Sequence, residues 1–115
     1  MLQLGEYHAH IYYDAMSKQT AMDLVQKLDN LFNVEIGQFH DKPIGPHPTG
    51  SIQVTVGPEP LGTILNWFAQ NRQGLTIFWH PNTGDVMKDH TEHTIWMGAM
   101  PELNLDFLER FVGKT

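Results

Sequence analysis

The order in which strand-like and helix-like segments follow one another is the feature of this sequence that most restricts its fold. Period-two alternation and aromatic or β-branched content predict four strands, over residues 7–13, 34–40, 51–57 and 75–80. Apolar residues at i, i+3 and i+4 spacing predict one helix after the first strand and another after the third. Their apolar stripes are Ala21, Leu24, Val25, Leu28, Leu31 and Phe32, and Leu61, Ile64, Leu65 and Phe68.

Turn and cap residues separate these segments. Residues 41–50 contain three prolines and two glycines, a composition that predicts a loop. Ser17 or Thr20 is expected to cap the first helix. Pro60 is expected to begin the second helix and Gly74 to end it.

A C-terminal extension follows the fourth strand. Residues 82–85 predict a turn and residues 94–97 a short strand. Asn104 is expected to cap a last amphipathic helix that stops at Gly113. The apolar positions of this helix are Leu105, Leu108 and Phe111. No repeat or change in composition divides the chain, so we expect a single domain over residues 1–115.

The β-α-β-β-α-β order is that of the split βαβ, or ferredoxin-like, fold of the α+β class. In that topology the sheet is antiparallel, its strand order is 4-1-3-2, and both helices cover one face. The other face is either solvated or buried against a second subunit. We therefore expect a homodimer, as a dimeric α+β barrel.

Composition excludes several classes of protein. The net charge of −6, with 7 Lys or Arg against 13 Asp or Glu, argues against binding to nucleic acid or to an anionic membrane. A hydrophobic content of 41% excludes a disordered tail. Because the chain has no cysteine, disulfides, thiolate metal sites and a cysteine nucleophile are also excluded.

Neither a membrane span nor a signal peptide is expected. The longest apolar runs fall short of the ~18–20 residues that a span needs. The first six residues have neither a basic segment nor an apolar one. The default location is the cytoplasm.

Histidine is unusually frequent, with 7 in 115 residues. His8 and His10 lie two apart on the first strand, so both leave the same face, with Cα atoms roughly 7 Å apart. In the expected topology His80, at the end of the fourth strand, lies next to His8. His47 stands between two prolines, in a stiff loop, near the far end of the first strand. Solvated or hydrogen-bonded histidines are the alternative for His8 and His10, and a simple rigid turn is the alternative for Gly45-Pro46-His47-Pro48.

The remaining candidates lie outside the strands. Asp89 precedes His90 and is able to orient its imidazole, although an ordinary polar loop is the alternative. His40 and His93 are interpreted as structural. Arg72 either pairs with an acidic substrate group or complements a helix C-terminus, and we favour the second interpretation. Histidine with carboxylate ligands suits Fe(II), Mn(II), Zn(II) or Cu(II).

In combination, five motifs resemble the DOPA 4,5-dioxygenase family of fungal and bacterial type. They span nearly the whole chain in the family's order, including the closing helix. The motifs are Tyr7-His8-Ala9-His10-Ile11-Tyr12, residues 34–37 with His40-Asp41, Gly45-Pro46-His47-Pro48, Leu75 with His80-Pro81-Asn82-Thr83-Gly84, and Asp89-His90-Thr91 with Trp96-Met97-Gly98.

The resemblance implies extradiol cleavage of a catechol such as DOPA by a non-haem Fe(II) site and O₂, with another divalent metal as the alternative. The implied ligands are His10 and His80 with either His8 or His47. An unliganded histidine would carry protons, a role given to His90 with Asp89 as its orienting partner. The aromatic walls would be Tyr12, Phe78 and Trp96, with core packing as their alternative role.

One segment departs from the family pattern. The family usually has bulky apolar residues after Gly-Pro-His-Pro, whereas this chain has Thr49-Gly50-Ser51. If these residues wall the pocket, the substrate is larger than DOPA or different from it. Two other hypotheses compete with catalysis. One is a non-catalytic dimeric α+β module that binds a metal or a small molecule, and the other is a purely structural dimer.

Overall fold

The computed structural model describes residues 5–112. Its strands are Tyr7–Tyr13 (β1), Glu35–Ile36 (β2), Gly50–Val56 (β3), Thr76–Pro81 (β4) and Ile95–Met97 (β5). Its helices are Lys18–Leu31 (α1), Leu61–Asn71 (α2), Val86–Asp89 (α3) and Leu105–Val112 (α4). Every predicted element is present, and α3 is an addition in a segment whose sequence predicts a loop. The expected helix stop at Gly113 lies outside the described residues.

The five strands form one antiparallel sheet in the order β2-β3-β1-β4-β5. This order confirms the predicted 4-1-3-2 arrangement and adds β5 at the edge beside β4. In the register of β1 with β4, His8 lies opposite His80 and His10 lies opposite Phe78. The α+β class is therefore confirmed, while the dimeric barrel stays a prediction.

Side chains alternate between the two faces of the sheet along the central strands. One face is covered by helices, and the other carries the histidines. Ala9 and Ile11 of β1, and Ile77 and Trp79 of β4, are fully buried. They belong to one core cluster, in which each fully buried Leu or Ile contributes ~1.5–3 kcal/mol to stability. The members from α1 and α2 are Ala21, Leu24, Val25, Leu28, Ile64 and Phe68. Both helices thus pack on the same side of the sheet, as predicted.

Strand β2 is shorter than the predicted 34–40. The ladder with β3 covers Glu35 and Ile36, and the Gly37 N–H still donates to Gln53 O at 2.8 Å. The chain then leaves the sheet and returns at His40, which exchanges two backbone hydrogen bonds of 2.9 Å with Ser51. This interruption places His40 at the face of the sheet that carries the other histidines.

The short helix α3 has a capping signal in the sequence. The Asp85 carboxylate accepts a hydrogen bond from the Lys88 N–H at 3.0 Å, which satisfies one of the free donors at a helix start. Ser17 occupies the N-cap position of α1, but its hydroxyl contacts Asp14 and makes no cap hydrogen bond. Helix α2 ends at Asn71, before Gly74 with φ of 79°. None of the helices described is long and apolar enough to cross a bilayer.

Gly50 lies where β1, β3 and the His40 segment meet, and we expect Gly50→Ala to destabilise the protein. A Cβ there would lie 2.9 Å from Tyr13 O and 3.0 Å from His40 O, both rigid backbone atoms. Overpacking of this kind costs about 1–3 kcal/mol of unfolding free energy. The matched control is Gly62→Ala in α2, where nothing lies within 4 Å. Because alanine is a better helix former than glycine, that variant should be at least as stable as the unmodified chain. Equal urea midpoints for the two variants would contradict this packing argument.

Candidate active site

The sheet face opposite the core helices carries the functional candidates. Because side chains alternate along a strand, His8, His10 and Tyr12 of β1 leave this face together. Phe78 and His80 of β4 join them across the antiparallel register. We call this surface the histidine face.

Three imidazoles converge on the histidine face. One ligand nitrogen from each of His8, His10 and His80 lies within 4.8 Å of the others. Within this group, His10 Nε2 and His80 Nε2 are 3.1 Å apart. A metal ion ~2.1 Å from each of two adjacent ligand nitrogens would hold them roughly 3 Å apart. We call these three residues the ligand group, and they are able to hold a metal ion.

The imidazole of His80 is held in an orientation suited to metal binding. Its Nδ1 lies 2.9 Å from the Pro81 carbonyl oxygen. Because a carbonyl oxygen can accept a hydrogen bond but not donate one, Nδ1 carries the proton and donates the hydrogen bond. In the neutral ring, Nε2 then has a free lone pair directed at the ligand group. Hydrogen bonds of this kind to backbone carbonyls commonly fix the tautomer of metal-binding histidines.

Two further histidines flank the ligand group. The His47 ring lies 4.1 Å from that of His10, and the His90 ring lies 4.2 Å from that of His80, between ring centroids. Five of the seven histidines therefore meet on one face, as the sequence predicts. His47 is outside the ligand group, however, and its Nδ1 is 2.8 Å from the Tyr12 hydroxyl. The interpretation of His47 as a ligand gains no support from this contact.

Burial keeps the central imidazoles neutral. It lowers the pKa of His80 to about 3 and that of His47 to about 4, and neighbouring histidines add to the effect. Burial also lowers the pKa of His10 well below the ordinary value, with His47 and His80 as further causes. Because only the neutral ring binds a metal through its lone pair, His10 and His80 are available as ligands at pH 7.

Asp89 does not orient His90, contrary to the sequence prediction. His90 Nδ1 instead donates to Val86 O at 2.7 Å, because its ring folds back over the first turn of α3. The Asp89 carboxylate is buried and accepts from Thr83 N at 2.8 Å and from Thr83 Oγ1 at 2.7 Å. His93 Nδ1 lies 2.9 Å from the same carboxylate. Asp89 thus ties α3 to the turn after β4.

The hydrogen bonds to Asp89 should make this carboxylate important for stability. Burial by itself raises the pKa of Asp89, but hydrogen bonds from His93 and Thr83 lower it overall. We expect Asp89→Asn to cost about 1–3 kcal/mol of unfolding free energy, because an amide NH₂ would face these donors. Urea denaturation at pH 7 measures the loss. Asp29→Asn on the exposed side of α1 is the matched control, and equal stability of the two variants would contradict this assignment.

Aromatic rings border the ligand group on the β5 side. Phe78 stacks on Trp96 with ring centroids 4.5 Å apart, and it lies 5.7 Å from the His10 ring. Tyr12 lies 6.2 Å from Trp96 in an edge contact. Phe78 is fully buried and Tyr12 is 4% exposed. All three predicted aromatic residues are therefore grouped beside the histidines, where Tyr12 also binds His47.

Arg72 lies away from this group. It is the C-cap residue of α2, and its Nη1 donates to the Leu75 carbonyl at 2.9 Å. This contact is just before the start of β4, whereas His80 is near its end, about 16 Å further along a strand. The C-cap position agrees with the helix-terminal interpretation of Arg72, and pairing with an acidic substrate group stays a prediction.

A cavity of about 400 Å³ opens beside His10 and His47. This volume is within the range of ~300–1,000 Å³ typical of small-molecule sites. The other lining residues are Gly37, Gln38, His40, Ile44, Gly45, Pro46, Ser51 and Gln53. His40, which the sequence analysis interprets as structural, lines this cavity because the second strand is not continuous. The sequence pattern did not indicate that His40 pairs with Ser51 after the interruption of β2.

Only one residue of the divergent segment Thr49-Gly50-Ser51 lines this cavity. Ser51 faces it, whereas the Thr49 hydroxyl donates to Tyr13 O at 3.0 Å. Gly50 is required by the close packing described above. The departure from the family pattern therefore changes the cavity wall mainly at Ser51.

Comparison with known proteins gives a consistent assignment. The Dopa 4,5-dioxygenase family matches the chain over residues 7–107. A DOPA 4,5-dioxygenase from Amanita muscaria is 33% identical over 112 residues, which cover 90% of this chain and 49% of that protein. A 21.2 kDa uncharacterized protein from Botryotinia fuckeliana is 33% identical over 118 residues, with coverage of 92% and 64%. The chain thus spans about half to two thirds of the length of these curated relatives.

A solved structure is similar over nearly the whole chain. The crystal structure of a candidate dioxygenase from Nostoc punctiforme superposes with a TM-score of 0.91 and 41% identity. The match covers 93% of each chain. Together with the family match over residues 7–107, this similarity establishes that the chain belongs to the Dopa 4,5-dioxygenase family.

Proposed function

We propose that the protein is an extradiol dioxygenase that cleaves a catechol with O₂ at a non-haem Fe(II) site. The observation that carries this proposal is the convergence of His8, His10 and His80 within 4.8 Å in a member of this family. A DOPA 4,5-dioxygenase among the relatives supports the reaction class.

The donor set suits a divalent metal ion. Imidazole is a ligand for Fe, Zn, Cu and Ni, and the ligand group would hold the ion through three ring nitrogens. No carboxylate belongs to the ligand group, so three neutral imidazoles would leave the charge of the ion uncompensated. That charge favours an anionic ligand with two adjacent oxygens, as in a catecholate. When bound, Fe(II) would supply a site at which catechol and O₂ are brought together.

The reaction is balanced without an external reductant. The ring carbon–carbon bond next to one hydroxyl breaks, and both atoms of O₂ enter the product. The catechol supplies the four electrons that reduce O₂. The product is a hydroxymuconic semialdehyde, whose conjugated chain is yellow.

Residues outside the ligand group would handle protons and position the ring. We assign proton transfer to His90, because its Nδ1–H is committed to Val86 O and its Nε2 remains able to accept a proton. His47 would contact the substrate from the cavity wall, with its ring held by Tyr12. Phe78 and Trp96 would border the aromatic ring.

The test is oxygen uptake by the full chain after anaerobic loading with Fe(II). We expect equimolar consumption of O₂ and catechol, with formation of a yellow product, and neither in metal-free protein. A panel of catechols with different substituents defines the accepted ring. Binding of catechols without oxygen uptake would contradict the proposal and favour a non-catalytic binding module.

A further inference from the structure

His40 differs from the other histidines because its imidazole has no polar partner. The ring of each of the other six lies within 3.5 Å of a hydrogen-bonding atom. The His40 ring makes no hydrogen bond to any residue in the described part of the chain. It lines the cavity beside the ligand group and is only partly buried. A neutral imidazole has one donor and one acceptor nitrogen, so both are available to a ligand.

The backbone around His40 is held in place by its neighbours. His40 exchanges two backbone hydrogen bonds of 2.9 Å with Ser51. The next residue, Asp41, accepts hydrogen bonds of 2.9 Å from the Tyr13 hydroxyl and from the Lys18 ammonium. These contacts fix the position of His40 before a ligand arrives, which lowers the entropic cost of binding.

His40 lies some distance from the ligand group, across the sheet. It pairs with Ser51 of β3, and Ser51 pairs with Tyr12 of β1. Because neighbouring strands are ~4.8 Å apart, His40 is roughly 10 Å from β1. The cavity that joins the two positions is lined by both His10 and His40. A catechol ring at the ligand group would leave this gap open, whereas a short substituent on the ring would extend into it.

The other lining residues admit a substituent that carries acceptor oxygens. None of the described residues that line the cavity is Asp or Glu, so no carboxylate repels such a group. A metal ion in the ligand group would add positive charge at the inner end of the cavity. Gln53 already contacts His8 and Thr55, both at 3.5 Å, whereas the His40 donor has no competing partner in the described part of the chain.

We propose, resting on the catechol cleavage above, that His40 is a substrate-binding residue whose imidazole donates a hydrogen bond to an acceptor group on the ring substituent. The ring oxygens would face the ligand group, and the substituent would extend along the cavity to His40. Because this contact is remote from the bond that breaks, it would stabilise bound substrate and transition state alike. His40 would therefore select among catechols mainly through KM.

A matched pair of catechols tests the contact. 3-(3,4-Dihydroxyphenyl)propanoate and 4-propylcatechol have nearly the same shape, and only the first has acceptor oxygens on its side chain. With the iron-loaded full chain, we expect His40→Ala to lower the acid-to-propyl ratio of kcat/KM by about tenfold, because a hydrogen bond to a carboxylate is lost. Backbone atoms make the pairing with Ser51, so the variant should keep its fold. An unchanged ratio would overturn the inference and leave the dioxygenase function intact.

Binding decides the case in which neither compound is cleaved. Calorimetric titration of the Zn(II)-loaded chain with each compound gives the same ratio from the two affinities. A fall of about tenfold in His40→Ala would support the contact although the proposed catalysis had failed. An unchanged ratio, or no binding of the acid by the unmodified chain, would overturn it.

Two further variants separate a direct contact from a general effect of charge. His40→Gln retains an amide donor, so its acid-to-propyl ratio should lie above that of His40→Ala. Lys42→Gln removes a positive charge two residues further along, at an exposed position that does not line the cavity. Its ratio should stay close to that of the unmodified chain. A fall in Lys42→Gln as large as that in His40→Ala would show that His40 does not bind the substituent directly.

Discussion

The His10→Ala variant is expected to lose the metal and, with it, oxygen uptake. His10 Nε2 is 3.1 Å from His80 Nε2, and His10 also lines the cavity. Loss of a residue that only hydrogen-bonds to a metal ligand already weakens metal binding about 10–100-fold. Removal of a ligand itself should therefore reduce Fe(II) affinity by at least roughly 100-fold. Metal content after gel filtration and oxygen uptake with catechol provide the two measurements.

The loss of metal must be separated from a loss of folding. His10 is buried, so alanine leaves a void, and His10→Gln fills most of that space without restoring an imidazole. We expect both variants to fold in metal-free buffer, as shown by a cooperative urea transition, and both to fail to retain Fe(II).

His93→Gln is the matched control for the removal of an imidazole. His93 lies outside the ligand group, and its side chain is 38% exposed beside Asp89. Full metal content and activity are expected in this variant, since the glutamine amide is still able to donate to the carboxylate. A His10 variant that binds Fe(II) as tightly as His93→Gln would refute the assignment of the ligand group.

Regular patterns made much of this site predictable from the sequence. The spacing of His8 and His10 places both on one face of β1, whatever the rest of the fold. The β-α-β-β-α-β order then puts β4 beside β1, and so His80 beside His8. Strand parity and topology were sufficient here, because neither depends on the detailed path of a loop.

The errors concern residues whose positions depend on irregular backbone. His40 reaches the cavity only because the chain leaves the sheet after Gly37 and pairs again at Ser51. Asp89 lies next to His90 in sequence, yet successive residues of a helix point in directions about 100° apart. Its carboxylate therefore meets Thr83 and not the neighbouring imidazole. Sequence adjacency is a poor guide to contact wherever a turn of helix forms.

The metal-free protein is expected to lose stability steeply in mild acid. In the unfolded chain each imidazole titrates near its ordinary pKa of 6.5, whereas burial lowers the pKa to about 3 in folded His80 and to about 4 in folded His47. At pH values between the folded-state pKa and 6.5, the unfolded state binds more protons than the folded state, so a fall in pH favours unfolding. The stability associated with these neutral rings is present above pH 6.5 and is lost as the pH falls through this range.

The size of the effect follows from the number of protons taken up. Each histidine that becomes protonated only on unfolding contributes ~1.4 kcal/mol per pH unit to the slope. For His80 alone the loss between its unfolded and folded pKa amounts to roughly 3–5 kcal/mol. A domain of this kind is stable by only about 5–15 kcal/mol in total. We therefore expect its urea midpoint to fall steeply below about pH 6.

Urea denaturation in EDTA at a series of pH values measures this slope. In His80→Gln and His47→Gln the slope should be shallower by up to about 1.4 kcal/mol per pH unit, because one proton fewer is taken up on unfolding. His93→Gln, at a position that is 38% exposed and outside the histidine face, is the matched control, and its slope should change less than the slopes of the two buried variants. If all three variants retained the same slope, the acid sensitivity would have to arise outside the histidine face. The buried neutral imidazoles that leave lone pairs free for a metal are, by the same physical cause, the groups that make the metal-free fold sensitive to acid.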